Sequence, residues 1–444
     1  MKGPDGSGQP EANPAGEEPT GRSKPKQGKS FVIDKRLLVG AWEKVRANNG
    51  APGVDAVGID RFQERLGDNL YKLWNRMSSG SYFPGPVRAA EIPKDHGAGV
   101  RVLGVPNTAD RVAQTAAAML LEARLEPLFH PGSYGYRPGR SARDAVAACR
   151  RRCREHDWVI DCGIRAFSGS VPHDLLLKAV AHHTGERWVL PCIERWLKAP
   201  MQMPEGSLAP REKGTPQGSP ITPLLANLFM HHAVDRWMDR EEPGCPFERY
   251  ADDIVIHCDN QDQARQLRAR VAERLKTVGL EPHPGKTRIV YCKDSNRPGT
   301  AEHVSFDFLG FTFRGRLLKG KHGHFTGFVP AISSKARKAI GQQIRAWHLN
   351  RRSWADLSSL ATGINPVTRG WINYYGAFYR SKLRFLAWRI NEHTVRWAMQ
   401  KYKRFRGHAA RAFTWLVRIY QHQPALFAHW QLAPPLRGRP MGAG

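Results

Sequence analysis

The spacing of apolar and polar positions changes several times along the chain, and each change predicts a change of architecture. Residues 1–30 are Gly, Pro, Ser, Lys and Glu with almost nothing apolar, so burial cannot offset the entropy of ordering them, and a disordered tail is expected. From Phe31 apolar side chains recur at helical spacing (Leu37-Leu38-Val39, Trp42, Val45) until Asn49-Gly50-Ala51-Pro52-Gly53-Val54-Asp55 breaks the run. A helix around 58–78 is predicted next. A strand Arg88–Pro93, a Gly-containing turn His96-Gly97-Ala98-Gly99, a strand from Val100 to Pro106 and an Ala-rich amphipathic helix Asp110–Leu128 follow. Strands and helices then interleave. The pattern predicts a strand Trp158–Cys162, helices near 172–183 and 186–198, and a helix from Pro223 to about Arg240. A hairpin at 247–258, a helix at 260–278 and short strands over Val304–Phe313 and Phe325–Val329 complete this part. Beyond Pro330 only helical spacing remains. The whole reads as an α+β fold followed by an all-helical domain.

Composition sharpens this picture. At 444 residues the chain can hold two to four domains without disulfide staples. Lys and Arg number 68 against 40 Asp and Glu, a formal charge of +28, and an Arg-rich surplus suits the paired oxygens of phosphates better than a membrane surface. The surplus is concentrated: residues 330–444 hold 20 Lys and Arg against two acids, Asp356 and Glu392, together with seven of the 13 tryptophans. Segments such as Lys382-Leu383-Arg384-Phe385-Leu386-Ala387-Trp388-Arg389 and Lys401-Tyr402-Lys403-Arg404-Phe405-Arg406 put cations around aromatics. A solvated helix surface explains any one of them. A ten-to-one excess over this length points to nucleic acid, with Arg384, Arg389, Lys401, Lys403, Arg404 and Arg406 as the candidate contacts. No apolar run approaches the ~18–20 residues of a membrane span and no secretion signal is visible, so a cytosolic location is expected. Seven cysteines, odd in number and without a C-x-x-C pair, fit reduced thiols. Cys149 and Cys153 lie four apart on a predicted helix, but no second ligand pair follows.

The chemistry-bearing string is Phe247-Glu248-Arg249-Tyr250-Ala251-Asp252-Asp253-Ile254-Val255-Ile256-His257-Cys258. Two short strands flank a turn that pushes adjacent carboxylates out of an apolar hairpin. Such a pair repels itself, and a hard divalent cation such as Mg²⁺ stabilises it while leaving positions open for phosphates. An Asp-Asp in a turn is ordinarily only a turn. Here it stands thirty-odd residues after a rigid loop entering an apolar helix, Gly214-Thr215-Pro216-Gln217-Gly218-Ser219-Pro220, whose backbone can approach a nucleotide closely.

At these residues the chain resembles the group II intron-encoded reverse transcriptases and maturases. The Tyr-x-Asp-Asp hairpin and the Thr-Pro-Gln-Gly loop match that family. So do Arg101–Pro106 with Asp110-Arg111, Gly132-Ser133-Tyr134-Gly135-Tyr136-Arg137-Pro138-Gly139-Arg140-Ser141, Lys286-Thr287, Phe308-Leu309-Gly310-Phe311 and Gly370-Trp371-Ile372-Asn373-Tyr374-Tyr375. The resemblance runs in order over about residues 35–430. It implies a right-handed polymerase: fingers over 31–155, palm over 156–328, and a helical thumb and maturase region over 329–444. It also implies Mg²⁺ on Asp252 and Asp253, intron RNA as partner, an RNA template with a DNA primer, and nucleotide contacts from Arg101, Gln217 and Lys286. Each of those three is otherwise a surface cation or a polar loop residue. Many relatives carry a DNA-binding segment and a Cys-rich endonuclease domain at the C-terminus, which this sequence does not show.

One run departs from the family pattern. Where relatives have a sequence of the type Asp-Ile-Arg-Ala-Phe-Phe-Asp, this chain has Gly163-Ile164-Arg165-Ala166-Phe167-Ser168-Gly169. Gly163 replaces the third metal-binding carboxylate, Ser168 the aromatic that rejects a ribose 2′-hydroxyl, and Gly169 a second acid. Asp161 leaves the same face of the strand but about 6–7 Å away, too far to take over unchanged. The expectation is an intron-binding splicing cofactor with an impaired polymerase centre. The alternatives are an active RNA-directed DNA polymerase with an incomplete triad and a decayed mobile-element copy.

Overall fold

The computed structural model describes residues 30–93, 100–321 and 323–435. The predicted tail up to residue 29, the turn at 96–99 and His322 lie outside the described residues.

Eleven strands form three sheets among the described residues. β1 (Val87–Pro93) and β2 (Val100–Val105) make an antiparallel ribbon that is extended by the short β4 (Met201–Gln202) and β5 (Leu208–Ala209), in the order β2-β1-β4-β5 once β3 (Trp158–Gly163) is set aside. β3 belongs to the second sheet, with β6 (Phe247–Tyr250), β7 (Asp253–Cys258) and β8 (Arg288–Tyr291) in the order β6-β7-β3-β8, every neighbour antiparallel. The third sheet is β11-β10-β9, from β9 (Ser305–Phe308), β10 (Phe311–Gly320) and β11 (Gly323–Ile332).

The second sheet is central because its strands are apolar on both faces. Val159, Ile160 and Cys162 of β3 and Ile254–Cys258 of β7 are all buried, as expected for a sheet covered on both sides. On one side pack the helices Thr108–Leu125, His173–His183, Val189–Lys198, Thr222–Met230 and Gln261–Thr277. On the other pack Ala142–Glu155 and the phenylalanines of β9–β11, with the Phe306 and Phe313 rings stacked at 4.7 Å. Ala142–Glu155 starts where Ser141 and Asp144 cap each other reciprocally. The C-terminal helices Ser334–Ala346, Leu357–Tyr375, Arg384–Lys401 and Ala409–His422 have their own core around Ile344, Leu349, Leu386, Trp397 and Trp430. This is the α+β arrangement with a helical C-terminal region that the pattern predicted. Among the described residues, no helix is long and apolar enough to cross a membrane.

Several elements differ from expectation. The helix at 58–78 is two, Ile59–Glu64 and Leu66–Ser78, because Arg65 (φ −126°, ψ 46°) leaves helical geometry between them. Val304–Phe313 is a hairpin, turning at Leu309 and Gly310, whose φ values of 49° and 79° no strand can contain. The helix from residue 222 onwards passes through a π-turn at His231–Asp235. Lys401–Arg406 is helical only at its first residue, followed by the short turn Lys403–Phe405.

Burial of a charge in this core has a measurable consequence. Asp110 is 5 % exposed, accepts a 2.6 Å hydrogen bond from the Tyr82 hydroxyl and another from Gly85 N, and loss of solvent pushes its pKa up to about 6. A folded-state pKa above the unfolded value of about 3.9 means that the folded chain binds more protons between pH 4 and 6, so this group's contribution falls as pH rises through that window. Asp110→Asn is therefore expected to match the parent near pH 4 and to exceed it by roughly 1–3 kcal/mol at pH 7. Urea midpoints at the two pH values check this; an equal difference at both would refute it.

Candidate functional site

The site is built on the β6–β7 hairpin. Its register, from Phe247↔Ile256 to Tyr250↔Asp253, leaves Ala251-Asp252 as a two-residue turn, with Ala251 in the left-handed region at φ 57°. β3 lies on the other edge of β7, and its last residue, Gly163, is directly opposite Asp253. The carboxylate pair thus ends where the altered run begins. The Asp253 carboxyl keeps exposed surface, yet the crowding around it raises its pKa, and the adjacent Asp252 charge raises it further; Lys286 and Lys335 act the other way. Clustered hard oxygen donors in mutual repulsion fit a hard divalent cation, and Asp252 and Asp253 are the residues that would hold one. When bound, such an ion would neutralise phosphate oxygens and make an attacking hydroxyl more acidic.

Position 163 has room for a side chain. A Cβ there would touch Lys286 Cδ at 3.4 Å, Lys286 Cβ at 3.5 Å and His283 Cβ at 3.9 Å, all ordinary contacts. The strand is held by its backbone instead, His283 N donating to Gly163 O at 2.7 Å. Lys286 therefore lies beside the place where the family's third carboxylate would stand. Asp161 is engaged elsewhere: its carboxylate takes Arg288 Nε at 3.2 Å, and burial, opposed by Arg288, pushes its pKa up to about 6.

The Gly/Pro loop closes on the same run. Gln217 Nε2 donates to Ser168 Oγ at 2.7 Å, and Thr215 N donates to Ser168 O. Gly214 (φ 82°) has no room for a Cβ, which would fall 2.6 Å from Ser168 O. Gly218 (φ 111°) is similarly pressed on β2, 2.7 Å from Gly104 O, while Gly104 N donates to Gln217 O. Arg101 stands on that strand, exposed, three residues before Gly104. Nothing crowds a Cβ at Gly169. The structure thus joins Asp252, Asp253, Gly163 and Lys286 in one group and Ser168 with Gln217 in another. Arg101 is tied to the second group only through the backbone of its strand.

Beneath the turn lies a network that the sequence reading missed. Arg249 is fully buried and donates to both oxygens of the equally buried Asp235 (2.7 and 2.6 Å), to Asn227 Oδ1, to Ser133 Oγ and to Ala251 O. Asn227 Nδ2 in turn holds Gly135 O at 2.7 Å, and Gly135 lies so close to the turn that a Cβ would meet Ala251 N. Arg137 fixes the same loop through Glu126 and the carbonyls of His130 and Ser133. Two charged residues, Glu248 and Arg249, in a strand beside the apolar run of β7 were the available signal, since a buried charge must be paired. Glu248, also buried, is matched by Arg152 and His257. A second omission is Lys335, just after the Ser333 cap of the first C-terminal helix, whose charge reaches Asp253. Two of the matched motifs also meet: Tyr374 donates to Leu309 O at 2.8 Å, and Tyr375 packs on Gly310.

The basic face is divided. Arg384, Lys403, Arg404 and Arg406 are exposed, Arg404 lying over the Phe405 ring at 4.7 Å. Arg389 is half-buried against Gly341, and Lys401 donates to Ser353 O and Ala355 O. Lys401 therefore braces the helical domain from within. All seven cysteines are buried free thiols.

A palm-like antiparallel sheet presenting paired carboxylates on a hairpin, closed by a glycine-rich loop and followed by basic helices, is the fold of the reverse transcriptase class. The chain belongs to the group II intron reverse transcriptase and maturase family. The reverse transcriptase (RNA-dependent DNA polymerase) family matches residues 92–313, half of the chain, and the group II intron maturase-specific domain matches residues 337–413. Protein YkfC of Escherichia coli (strain K12) is 32% identical over 263 residues, which are 51% of this chain and 68% of YkfC. Group II intron-encoded protein LtrA of Lactococcus lactis subsp. cremoris is 29% identical over 268 residues, 58% of this chain but only 43% of LtrA. Among solved structures, telomerase from Candida albicans in complex with a fragment of telomeric RNA aligns with 85% of this chain and 68% of its own, at a TM-score of 0.46 and 12% identity.

Proposed function

We propose that this chain is a maturase in the working sense: it binds folded intron RNA and favours the spliceable conformation, while its own polymerase centre is impaired. The observation that carries the second half is Gly163, a residue without a side-chain ligand, facing Asp253. In this reading residues 31–155 act as fingers, 156–328 as palm and 329–444 as thumb and intron-binding region. Lys and Arg side chains displace counterions from closely packed phosphates, which lowers the cost of bringing RNA helices together.

The exposed cations supply the test. Each phosphate contact contributes about 0.7–0.9 to the log–log salt slope of binding. Changing Lys403, Arg404 and Arg406 together to Gln is expected to flatten the slope for a group II intron RNA by about 2 and to slow splicing at low Mg²⁺. Lys401→Gln, by contrast, should lower the melting temperature and leave the slope nearly alone. An unchanged slope in the triple variant would place the RNA elsewhere. Failure of the intact, folded chain to bind intron RNA would favour a decayed copy.

A further inference from the structure

The C-terminal helix carries a pocket that phosphate binding alone does not explain. Along Ala409–His422, Arg411, Trp415 and Arg418 fall at i, i+4 and i+7 and so share one face. The turn Lys403–Phe405 brings Arg404 and Phe405 against them, enclosing a cavity of about 420 Å³, within the ~300–1,000 Å³ usual for a bound organic group. The floor is aromatic. Trp415 is half-buried, and its ring packs at an angle against Tyr402 at 5.5 Å, Phe405 at 5.6 Å and Trp397 at 6.4 Å. The walls are three guanidiniums, with no acid among the lining residues. Of the two acids in residues 330–444, Asp356 is occupied in capping the helix Leu357–Tyr375 through Ser359 N.

Charge and shape together select the ligand. Guanidiniums two helical turns apart, about 10 Å, suit the phosphates on either side of a nucleotide, and a plain phosphate track needs no half-exposed indole. An indole face braced by other rings suits a flat π-system, and a base offers its face only when it is unpaired. We infer that this pocket captures a single unpaired nucleotide of RNA, its base stacked on Trp415 with Arg404 alongside and its flanking phosphates on Arg411 and Arg418. The inference rests on the RNA-binding reading above and adds to it a preference for a bulge or loop over a continuous duplex.

The test uses the full chain and two RNA hairpins of equal length carrying 2-aminopurine at one position, bulged in one and paired in the other. Binding is expected to change the fluorescence of the bulged probe only. Trp415→Ala should weaken binding of the bulged hairpin by roughly 5- to 100-fold, bring it level with the paired one and leave the salt slope unchanged. Arg411→Gln with Arg418→Gln should instead reduce the slope by about 1.5. Trp415→Phe keeps a ring and a packed core, so it should retain most of the preference, which separates stacking from folding. Equal affinity for both hairpins in the parent, or a bulged-probe signal that survives Trp415→Ala, overturns the pocket while leaving RNA binding intact. Absence of binding to either hairpin and to intron RNA overturns both readings.

Discussion

Gly163→Asp is expected to raise primer extension on an RNA template from background by roughly 10³-fold, the equivalent of several kcal/mol of transition-state stabilisation. Asp252 and Asp253 offer two negative charges. A site of this kind must neutralise two divalent cations and the phosphates between them, and the residue across from Asp253 contributes nothing. The substitution places a carboxylate there without disturbing the strand, because a Cβ meets only the flexible Lys286 side chain and His283. Glycine inside a strand is itself unfavourable by up to ~1 kcal/mol, so the variant should melt within a few degrees of the parent without Mg²⁺. It should show a larger Mg²⁺-dependent rise in melting temperature than the parent, a readout independent of turnover. Adding Ser168→Phe removes the hydroxyl that Gln217 now holds and puts a ring in its place, so rejection of ribonucleotides should improve only in variants carrying the Phe. Gly169→Asp meets open space and should be tolerated structurally. Strong extension by the unaltered chain, abolished by Asp252→Ala, would show that two carboxylates suffice here and would sink the proposal of an impaired centre.

Much of this site was legible along the chain, for reasons of period and of local chemistry. The Tyr250–Asp253 turn announced itself because adjacent acids just before the apolar run Ile254–Ile256 fit only the tip of a hairpin. The Gly214–Pro220 loop did so because Gly214 and Gly218 answer backbone demands that no other residue meets. What stayed hidden depends on contacts between distant segments. No local pattern joins Arg249 to Ser133, 116 residues away, or brings Lys335 to Asp253. β8 was missed although Ile289, Val290 and Tyr291 all favour strands: four residues are too short a run to show a period, and the pairing with β3, far away along the chain, fixes them. Lys401 shows the same limit: in a basic run it looks like its neighbours, and nothing local announces that its ammonium is held by the carbonyls of Ser353 and Ala355.

Arg249→Met is expected to destabilise the fold by about 3–5 kcal/mol, more than any surface cation could. The reason is asymmetry. The guanidinium and Asp235 are both fully buried, so removing the cation leaves an uncompensated carboxylate in the core as well as three acceptors, Asn227 Oδ1, Ser133 Oγ and Ala251 O, without their donor. Arg249→Lys should fall between, because one ammonium cannot span five acceptors arranged for a planar fork. Arg249→Met with Asp235→Leu should recover only part of the loss: the stranded charge is gone, while the three orphaned acceptors remain. The same network fixes the carboxylate turn, since one guanidinium bonds the carbonyl of Ala251 between Tyr250 and Asp252. In the Gly163→Asp background, then, Arg249→Lys should lose more extension activity than its change in urea midpoint accounts for, through a displaced Asp252. A urea midpoint for Arg249→Met within 1 kcal/mol of the parent, or full recovery by the double substitution, would mean that the pair is not what holds the hairpin in place.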